Sequence, residues 1–188
     1  MREIAKDIIE KAADGDMAAF EEIYRTFSSS VYTIALGVTR NREDAEEATQ
    51  DVFVRAFRNL KGFRFGSSFG TWIYRITMNV SLNTCRRRAR RGAGSVSYDD
   101  FKNVLPAAPD TAGKGAERED AAGRVAELLK NISPEHRSCI VLREIEGLDY
   151  KEMADVLAIP INTVRSRLKR AREALMAYCR KEGIGHAL

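Results

Sequence analysis

Residues 150–172 read YKEMADVLAIPINTVRSRLKRAR. Apolar residues recur at helical spacing on both sides of Pro160, and the proline interrupts the pattern between the two halves. The apolar seam of the second half consists of Val164, Leu168, Ala171 and Leu175. Two helices joined by a tight turn along one seam make a helix-turn-helix, so this stretch predicts an all-helical domain at its end of the chain.

The second of these helices is strongly basic. Its cations are Arg165, Arg167, Lys169, Arg170 and Arg172, with no acid before Glu173. A solvated helix usually mixes charges to gain i,i+4 pairs. Arg and Lys can bind guanine edges in the major groove, while hydroxyls and N-terminal backbone N–H groups hold phosphates. The pattern favours DNA over the alternative, a basic helix for solubility or for an acidic protein partner. The predicted DNA-binding residues are Asn162, Thr163, Arg165, Ser166, Lys169 and Arg170.

Composition limits the other classes of function. The 188 residues are 44% apolar, enough for one medium domain or two small ones, and the net charge of +4 mildly favours an acidic partner. The N-terminus is too charged for a secretory signal, and no apolar run approaches the roughly 18 residues of a membrane span. Cys85, Cys139 and Cys179 lie far apart without metal-ligand spacing, so we expect reduced thiols in a cytoplasmic protein, with no metal and no cofactor.

Helical spacing continues through the first half of the chain. One stripe consists of Met17, Phe20, Ile23, Tyr24 and Phe27, and a second, after a Ser-rich break, of Val31, Ile34, Ala35 and Val38. A new helix is predicted from Asn41, with Asp44 in a capping-box-like position. Its inward residues are Ala45, Ala48, Val52, Phe53, Ala56 and Leu60.

The first turns of that helix carry a surplus of acids, namely Glu43, Asp44, Glu46, Glu47 and Asp51. Acids suit a helix N-terminus, which accounts for two or three of them. The residues alone leave open whether this is a solvated face or a partner surface. A Gly/Ser loop follows, and then a helix from Phe69 that ends in CRRRARR.

Residues 92–116 are rich in Gly and Pro and have little periodicity, which predicts a flexible linker. The predicted fold class is therefore all-α, with two small helical domains, 1–91 and 117–188, joined by that linker. In the second domain we expect Ser133 to cap a helix with Pro134 at its first position. Asp149 with Glu152 predicts a capping box at the start of the helix-turn-helix.

A helix-turn-helix alone is compatible with many regulators, and the first domain distinguishes between them. The segments DAEEATQDVFVRAF (44–57), FGTWIYRITMNVSLNTCRRRARR (69–91) and the block from SPEH to RAR (133–172) resemble the extracytoplasmic-function sigma factors of bacterial RNA polymerase. The resemblance covers almost the whole chain, and the two halves occur in the right order.

The resemblance implies a role for each segment. The acidic helix would dock on core RNA polymerase through Asp44, Glu47, Gln50 and Asp51. The loop 61–68 would capture a flipped base of the −10 element, and the next helix would follow the upstream duplex. The implied −10 residues are Lys61, Phe63, Arg64, Phe65, Ser67, Ser68, Arg75, Asn79, Arg86, Arg87 and Arg88. The basic helix would read the −35 element of promoter DNA.

The resemblance also implies an anti-sigma protein that wedges between the domains, and a chain that is a monomer when free. Three positions depart from the usual pattern: Ala158 and Asn162 replace glycines around the turn, and Asn83 replaces an aspartate in the helix after Asn79. Ala at positive φ costs roughly 1 kcal/mol, so the turn is expected to differ slightly.

Two other classes of function fit the sequence less well. A stand-alone helix-turn-helix regulator is the alternative, but it needs neither an acidic docking helix nor a base-capture loop. An enzyme has little support, because His136 and His186 lie far apart and no carboxylate pair or phosphate loop accompanies them.

Overall fold

The computed structural model describes residues 3–91 and 132–181, so the predicted linker lies outside the described residues. The helices are α1 Lys6–Ala13, α2 Met17–Thr39, α3 Arg42–Asn59, α4 Phe69–Arg90, α5 Pro134–Ile140, α6 Tyr150–Leu157 and α7 Ile161–Lys181. A 3₁₀ turn, Leu60–Gly62, follows α3, and a π-helical turn, Val141–Ile145, continues α5. The predicted all-α class is confirmed.

The core of the first domain lies between α2, α3 and α4. The predicted break at the serines is wrong, because α2 runs unbroken through residues 28–30. Phe27 and Val31 lie one turn apart on the same buried face, and this packing holds the helix through the serines. Met17 and Tyr24 are 63% and 47% exposed, so their predicted place in the apolar stripe is also wrong.

Helix α3 begins where the sequence predicts. The side-chain Oδ1 of Asn41 accepts a hydrogen bond from the backbone N–H of Asp44 at 2.7 Å, which caps the helix. All six residues expected to face inward are buried. The acidic residues of its first turns therefore lie on the other faces of α3, which contact α4 or solvent.

The second domain has the predicted caps. Ser133 caps α5 with Pro134 at its start, and the Asp149–Glu152 capping box is complete, with both hydrogen bonds at 2.8 Å. In α7, Val164, Leu168 and Ala171 are buried and Leu175 is half-buried. Helices α6 and α7 thus form the helix-turn-helix along the predicted seam.

The two domains pack against each other. Helix α2 lies against α5 and its π-helical turn, and α4 lies against α6. A Cβ atom built on Gly37 would stand 2.7 Å from Cγ2 of the buried Val141, so the helices meet at a point where only glycine fits without a shift. The buried apolar residues of both domains form one continuous cluster. The sequence predicts two domains but not this contact.

Among the helices of the described ranges, none is long and apolar enough to cross a membrane.

Candidate nucleic-acid interface

The outer face of α7 is an open basic surface. Of the predicted −35 residues, Thr163 is half-buried and the others, Asn162, Arg165, Ser166, Lys169 and Arg170, are exposed. Two of the cations have local partners: Arg165 donates to Asn162 Oδ1 at 3.4 Å, and Lys169 lies 3.8 Å from Glu173. Exposed pairs of this kind are worth little, so both cations can turn to phosphate or base edges. Arg172 differs, because it pairs with Glu144 at 2.7 Å within the domain.

The turn between α6 and α7 contains the strain that the sequence suggests. Ala158 has φ 53° and ψ 46°, the left-handed conformation that glycine adopts most easily. Its backbone N–H donates to the carbonyl of Ala154, which closes α6. The expected departure from the usual turn therefore takes the form of strain at Ala158, which keeps the helix-ending conformation.

The loop before α4 is built on an aromatic cluster. The ring of Phe63 lies 4.9 Å from Phe65, 5.5 Å from Phe69 and 5.4 Å from Trp72, measured between centroids. Phe69 is buried and Phe63 and Trp72 are half-buried, whereas Phe65 is 42% exposed at φ 55°. The cluster anchors the loop and leaves Phe65 partly exposed, with Nζ of Lys6 5.0 Å from the centroid of its ring.

A cavity of about 250 Å³ opens beside this cluster. Its lining residues are Gly62, Phe63, Arg64, Gly66, Ser67, Trp72 and Arg75. Aromatic faces with flanking guanidinium groups suit an unstacked base and its phosphate. Ser68, also predicted here, instead caps α4 by accepting from the backbone N–H of Thr71 at 3.0 Å. Lys61 is exposed at the entrance to the loop.

Two predicted −10 residues lie further along α4, and both are exposed. Asn79 faces solvent, whereas Arg75 contacts the second domain. Its Nε and Nη2 donate to the backbone carbonyl of Asp155, near the end of α6, at 3.0 and 2.6 Å. One candidate DNA contact therefore takes part in the interdomain contact.

Two arginines at the end of α4 form ion pairs with acidic residues of α3. The sequence assigns these arginines to the −10 surface and the acidic residues to the docking surface. Arg88 binds Asp44 at 2.7 Å in a half-buried pair, and Arg87 lies 3.8 Å from Glu47. Arg86 points the other way, 3.8 Å from Glu135 of α5. A polar cavity of about 270 Å³ separates the ends of α3 and α4.

The remaining docking candidates face outward. Gln50 is exposed, and Asp51 forms an i,i+4 pair with Arg55 at 2.8 Å. The sequence does not predict the exposed large apolar side chains of α2 and α3, which are Met17, Tyr24, Val54 and Phe57. Val54 and Phe57 fall outside the inward stripe of α3, and this helical spacing was the signal that could have revealed them.

Burial shifts the pKa values of titratable groups at the domain boundary. Desolvation lowers the pKa of Arg137 to about 10, and burial raises the pKa of the Cys85 thiol. Burial also raises the pKa of Cys139 to about 11. Both cysteines are free thiols, and within residues 3–91 and 132–181 no His, Cys, Asp or Glu side chains group into a metal site.

A basic helix-turn-helix beside a second helical domain with an aromatic cavity defines a DNA-binding protein. Residues 23–91 match the family Sigma-70 region 2, and residues 122–175 match Sigma-70, region 4. The RNA polymerase sigma-H factor of Pseudomonas aeruginosa is 31% identical over 90% of this chain and 91% of its own length. The ECF RNA polymerase sigma factor SigE of Mycolicibacterium smegmatis is 34% identical over 90% of this chain, which spans 66% of that protein.

Solved structures give the same result. CnrH, solved in complex with the cytosolic domain of CnrY, has a TM-score of 0.68 and 26% identity, over 93% of this chain and 96% of that one. The sigma factor RpoE of Bartonella quintana, with 22% identity and a TM-score of 0.65, shares the fold. The chain belongs to the extracytoplasmic-function sigma factors of bacterial RNA polymerase.

Proposed function

We propose that this sigma factor brings core RNA polymerase to its promoters through three surfaces of its own. The outer face of α3 docks on the polymerase, the aromatic cavity before α4 holds an unpaired base of the −10 element, and the basic face of α7 reads the duplex −35 element. Catalysis belongs to the polymerase. The observation that carries the proposal is the cavity of about 250 Å³, because a stand-alone regulator of duplex DNA has no use for it.

The docking surface combines charge with apolar area. Glu47 and Gln50 are exposed on α3, two turns and one turn before the exposed Val54, and Phe57 continues the same face. A polymerase helix with basic residues flanking an apolar stripe would complement it. Asp44 has a different part in this proposal, because its half-buried pair with Arg88 fixes the start of α3 against α4.

The −10 surface divides into a support and a binding edge. Phe63 supports the loop from within the cluster, while the exposed Phe65 and the cations Arg64 and Arg75 meet the strand. Every base has a π-face, so stacking supplies affinity of about 1–3 kcal/mol per base. Specificity then comes from polar groups at the cavity, of which Ser67 is the candidate on this chain.

We also propose that an anti-sigma protein binds this chain. CnrH, 26% identical to this chain, was solved with the cytosolic domain of CnrY. In this chain such a partner would have to displace or surround a direct contact between the domains, since Gly37 and Val141 already touch.

The proposed function is tested by co-purification with core polymerase and by transcription from a promoter library. Glu47→Lys reverses an exposed charge on the docking face without touching the apolar core, so it should abolish co-purification while the circular dichroism stays helical. Asp7→Lys is the matched control, because Asp7 is equally exposed but lies on α1. Core binding that survives Glu47→Lys would remove the docking assignment, and a wild-type chain that never directs initiation would overturn the function.

A further inference from the structure

Helix α1 lies beside the loop that forms the proposed −10 site. Its buried residues Ile9 and Ala12 hold it against the core of the first domain, and the helix contacts the 3₁₀ turn Leu60–Gly62 that opens the loop. This packing carries Lys6, the first residue of α1, to the ring of Phe65. No local spacing predicts this neighbour, so the tertiary fold alone brings α1 to the loop.

The contact between α1 and the loop is a cation–π pair. The ammonium of Lys6 stands over the ring of Phe65, with Nζ 5.0 Å from the centroid. A cation within about 6 Å of an aromatic face is attracted by the ring quadrupole, although the attraction is small at an exposed site. Both side chains are exposed, and the ring of Phe63 supports that of Phe65 at 4.9 Å between centroids. The Lys6 ammonium therefore occupies a ring face on which a base could stack.

The charge around this face is one-sided. No Asp or Glu occurs in residues 52–98, whereas Lys61 and Arg64 lie in the loop itself and are exposed. The acid that pairs with Lys6 comes from α1, where Oε1 of Glu10 lies 3.3 Å from Nζ. The loop thus gathers positive charge around an aromatic ring and has no carboxylate of its own to balance it. Such a surface suits an anionic strand whose bases are unstacked.

We propose that Lys6 is a further residue of the −10 site, which binds a phosphate of the unpaired strand beside the base that stacks on Phe65. The inference rests on the proposed function, which assigns the loop to that strand. When the base takes the ring face, the ammonium leaves it and turns to the phosphate, which is joined to the base through the sugar. The flexible four-carbon stem of lysine permits this exchange without a movement of α1.

The proposed contact has a consequence for sequence preference. A phosphate contact positions the strand but carries no sequence information. Lys6 should therefore strengthen binding to the same extent for every −10 sequence, whereas a change at Ser67 should alter the preference among them. The roles of α1 and the loop can thus be separated by experiment.

Two ion pairs of α1 provide a matched set of variants. Lys6 pairs with Glu10 and Lys11 pairs with Asp7, both pairs being i,i+4 and exposed, at 3.3 and 3.5 Å. Lys11 is five residues further along the helix than Lys6 and therefore projects from a different side of it. Lys6→Gln and Glu10→Gln are the test variants. Lys11→Gln and Asp7→Asn are the controls, because they remove the same charges from the other pair.

The test uses the holoenzyme and a labelled single strand that covers the −10 region of a promoter selected from the library. Fluorescence anisotropy measures the affinity between about 0.1 and 1 M salt, where each phosphate contact on a single strand contributes about 0.7 to the log–log slope. We expect Lys6→Gln to lower the magnitude of the slope by about 0.7 and to weaken binding about fivefold at 0.1 M salt, with the difference vanishing near 1 M. Glu10→Gln releases Lys6 from its pair and should tighten binding about twofold. The two controls should change neither the affinity nor the slope.

Three results would overturn the proposal: an unchanged affinity with Lys6→Gln, a weaker affinity with the wild-type slope, or an equal fall in slope with Lys11→Gln. The second would mean that Lys6 only holds Phe65 in place, and the third that the whole charge of α1 acts at a distance. Should Lys6→Gln fail to fold, Glu10→Gln carries the same test, and wild-type affinity there would contradict the phosphate contact.

Transcription by the same samples separates the two levels of inference. Normal initiation by the wild type together with unchanged affinity in Lys6→Gln sinks only the role of α1. A wild-type chain that never directs initiation sinks the proposed function and the role of Lys6 with it.

Discussion

Arg88 and Asp44 form a 2.7 Å ion pair between the end of α4 and the start of α3, with side chains only 26% and 23% exposed. The sequence places these residues in different functional surfaces, yet here they hold two helices together. A half-buried charged pair contributes more than an exposed one, because solvent screens it less.

A double-mutant cycle should measure that difference. For Asp44→Ala and Arg88→Ala we expect a coupling of about 1 kcal/mol in the free energy of unfolding in urea, with the double variant less impaired than the sum. The exposed pair Asp51–Arg55, at 2.8 Å, is the control and should give about 0.3–0.5 kcal/mol. Equal couplings for the two pairs would mean that burial adds nothing to the first.

Replacing Ala158 with glycine should stabilise the protein. The φ of 53° at Ala158 is unfavourable for a side chain with a Cβ atom, so Ala158→Gly is expected to raise the free energy of unfolding by about 1 kcal/mol. Ala154→Gly, within right-handed α6, should lower it by a similar amount. Thermal unfolding of both variants checks the sign, and destabilisation by Ala158→Gly would contradict the strain at the turn.

The basic face of α7 should separate base contacts from phosphate contacts. If Arg170 forks onto a base, Arg170→Ala should cost on the order of 1–3 kcal/mol in promoter binding by the holoenzyme and relax preference at one −35 position. Lys151→Ala, an exposed cation on α6, serves as the control. A uniform loss over a library of −35 sequences would assign Arg170 to phosphate instead.

The two phenylalanines of the loop should behave differently. Phe65→Ala should leave the free energy of unfolding within about 0.5 kcal/mol of wild type, because Phe65 is 42% exposed, yet impair strand opening at the promoter. Phe63→Ala should cost about 2 kcal/mol of stability, because it removes three aromatic contacts. Permanganate reactivity of unpaired thymines measures opening, and normal reactivity with Phe65→Ala would refute its role.

Cys139 should resist alkylation in the native protein. Its pKa of about 11 against an ordinary 9.0 leaves roughly a hundredth of the usual thiolate at pH 8. Since the unfolded chain loses this proton first, the thiol also lowers the free energy of unfolding as pH rises from 9 toward 11. Iodoacetamide labelling with peptide mapping, native against denatured, checks the protection. Native labelling at the denatured rate would contradict it.

Local signals predicted the helices well. Asn41, Ser133 and the Asp149–Glu152 pair cap helices as expected, because a cap joins residues two or three apart and depends on little else. The serine segment 28–30 departs from its predicted break for the opposite reason. Its local preference is weak, and burial of Phe27 and Val31 against distant helices decides its conformation.

The sequence by itself determined the class of the fold, the capped starts of the helices at Asn41, Ser133 and Asp149, and the charge of the candidate surfaces, because periodicity, caps and charge are written within a few residues. Only the tertiary structure decided which of those residues meet. Arg88 pairs with Asp44, 44 residues away, and Arg75 donates to the carbonyl of Asp155 in α6, 80 residues away. Val141 packs against Gly37, 104 residues away. Such contacts depend on how whole helices pack, because no local spacing specifies the face that a distant helix will cover.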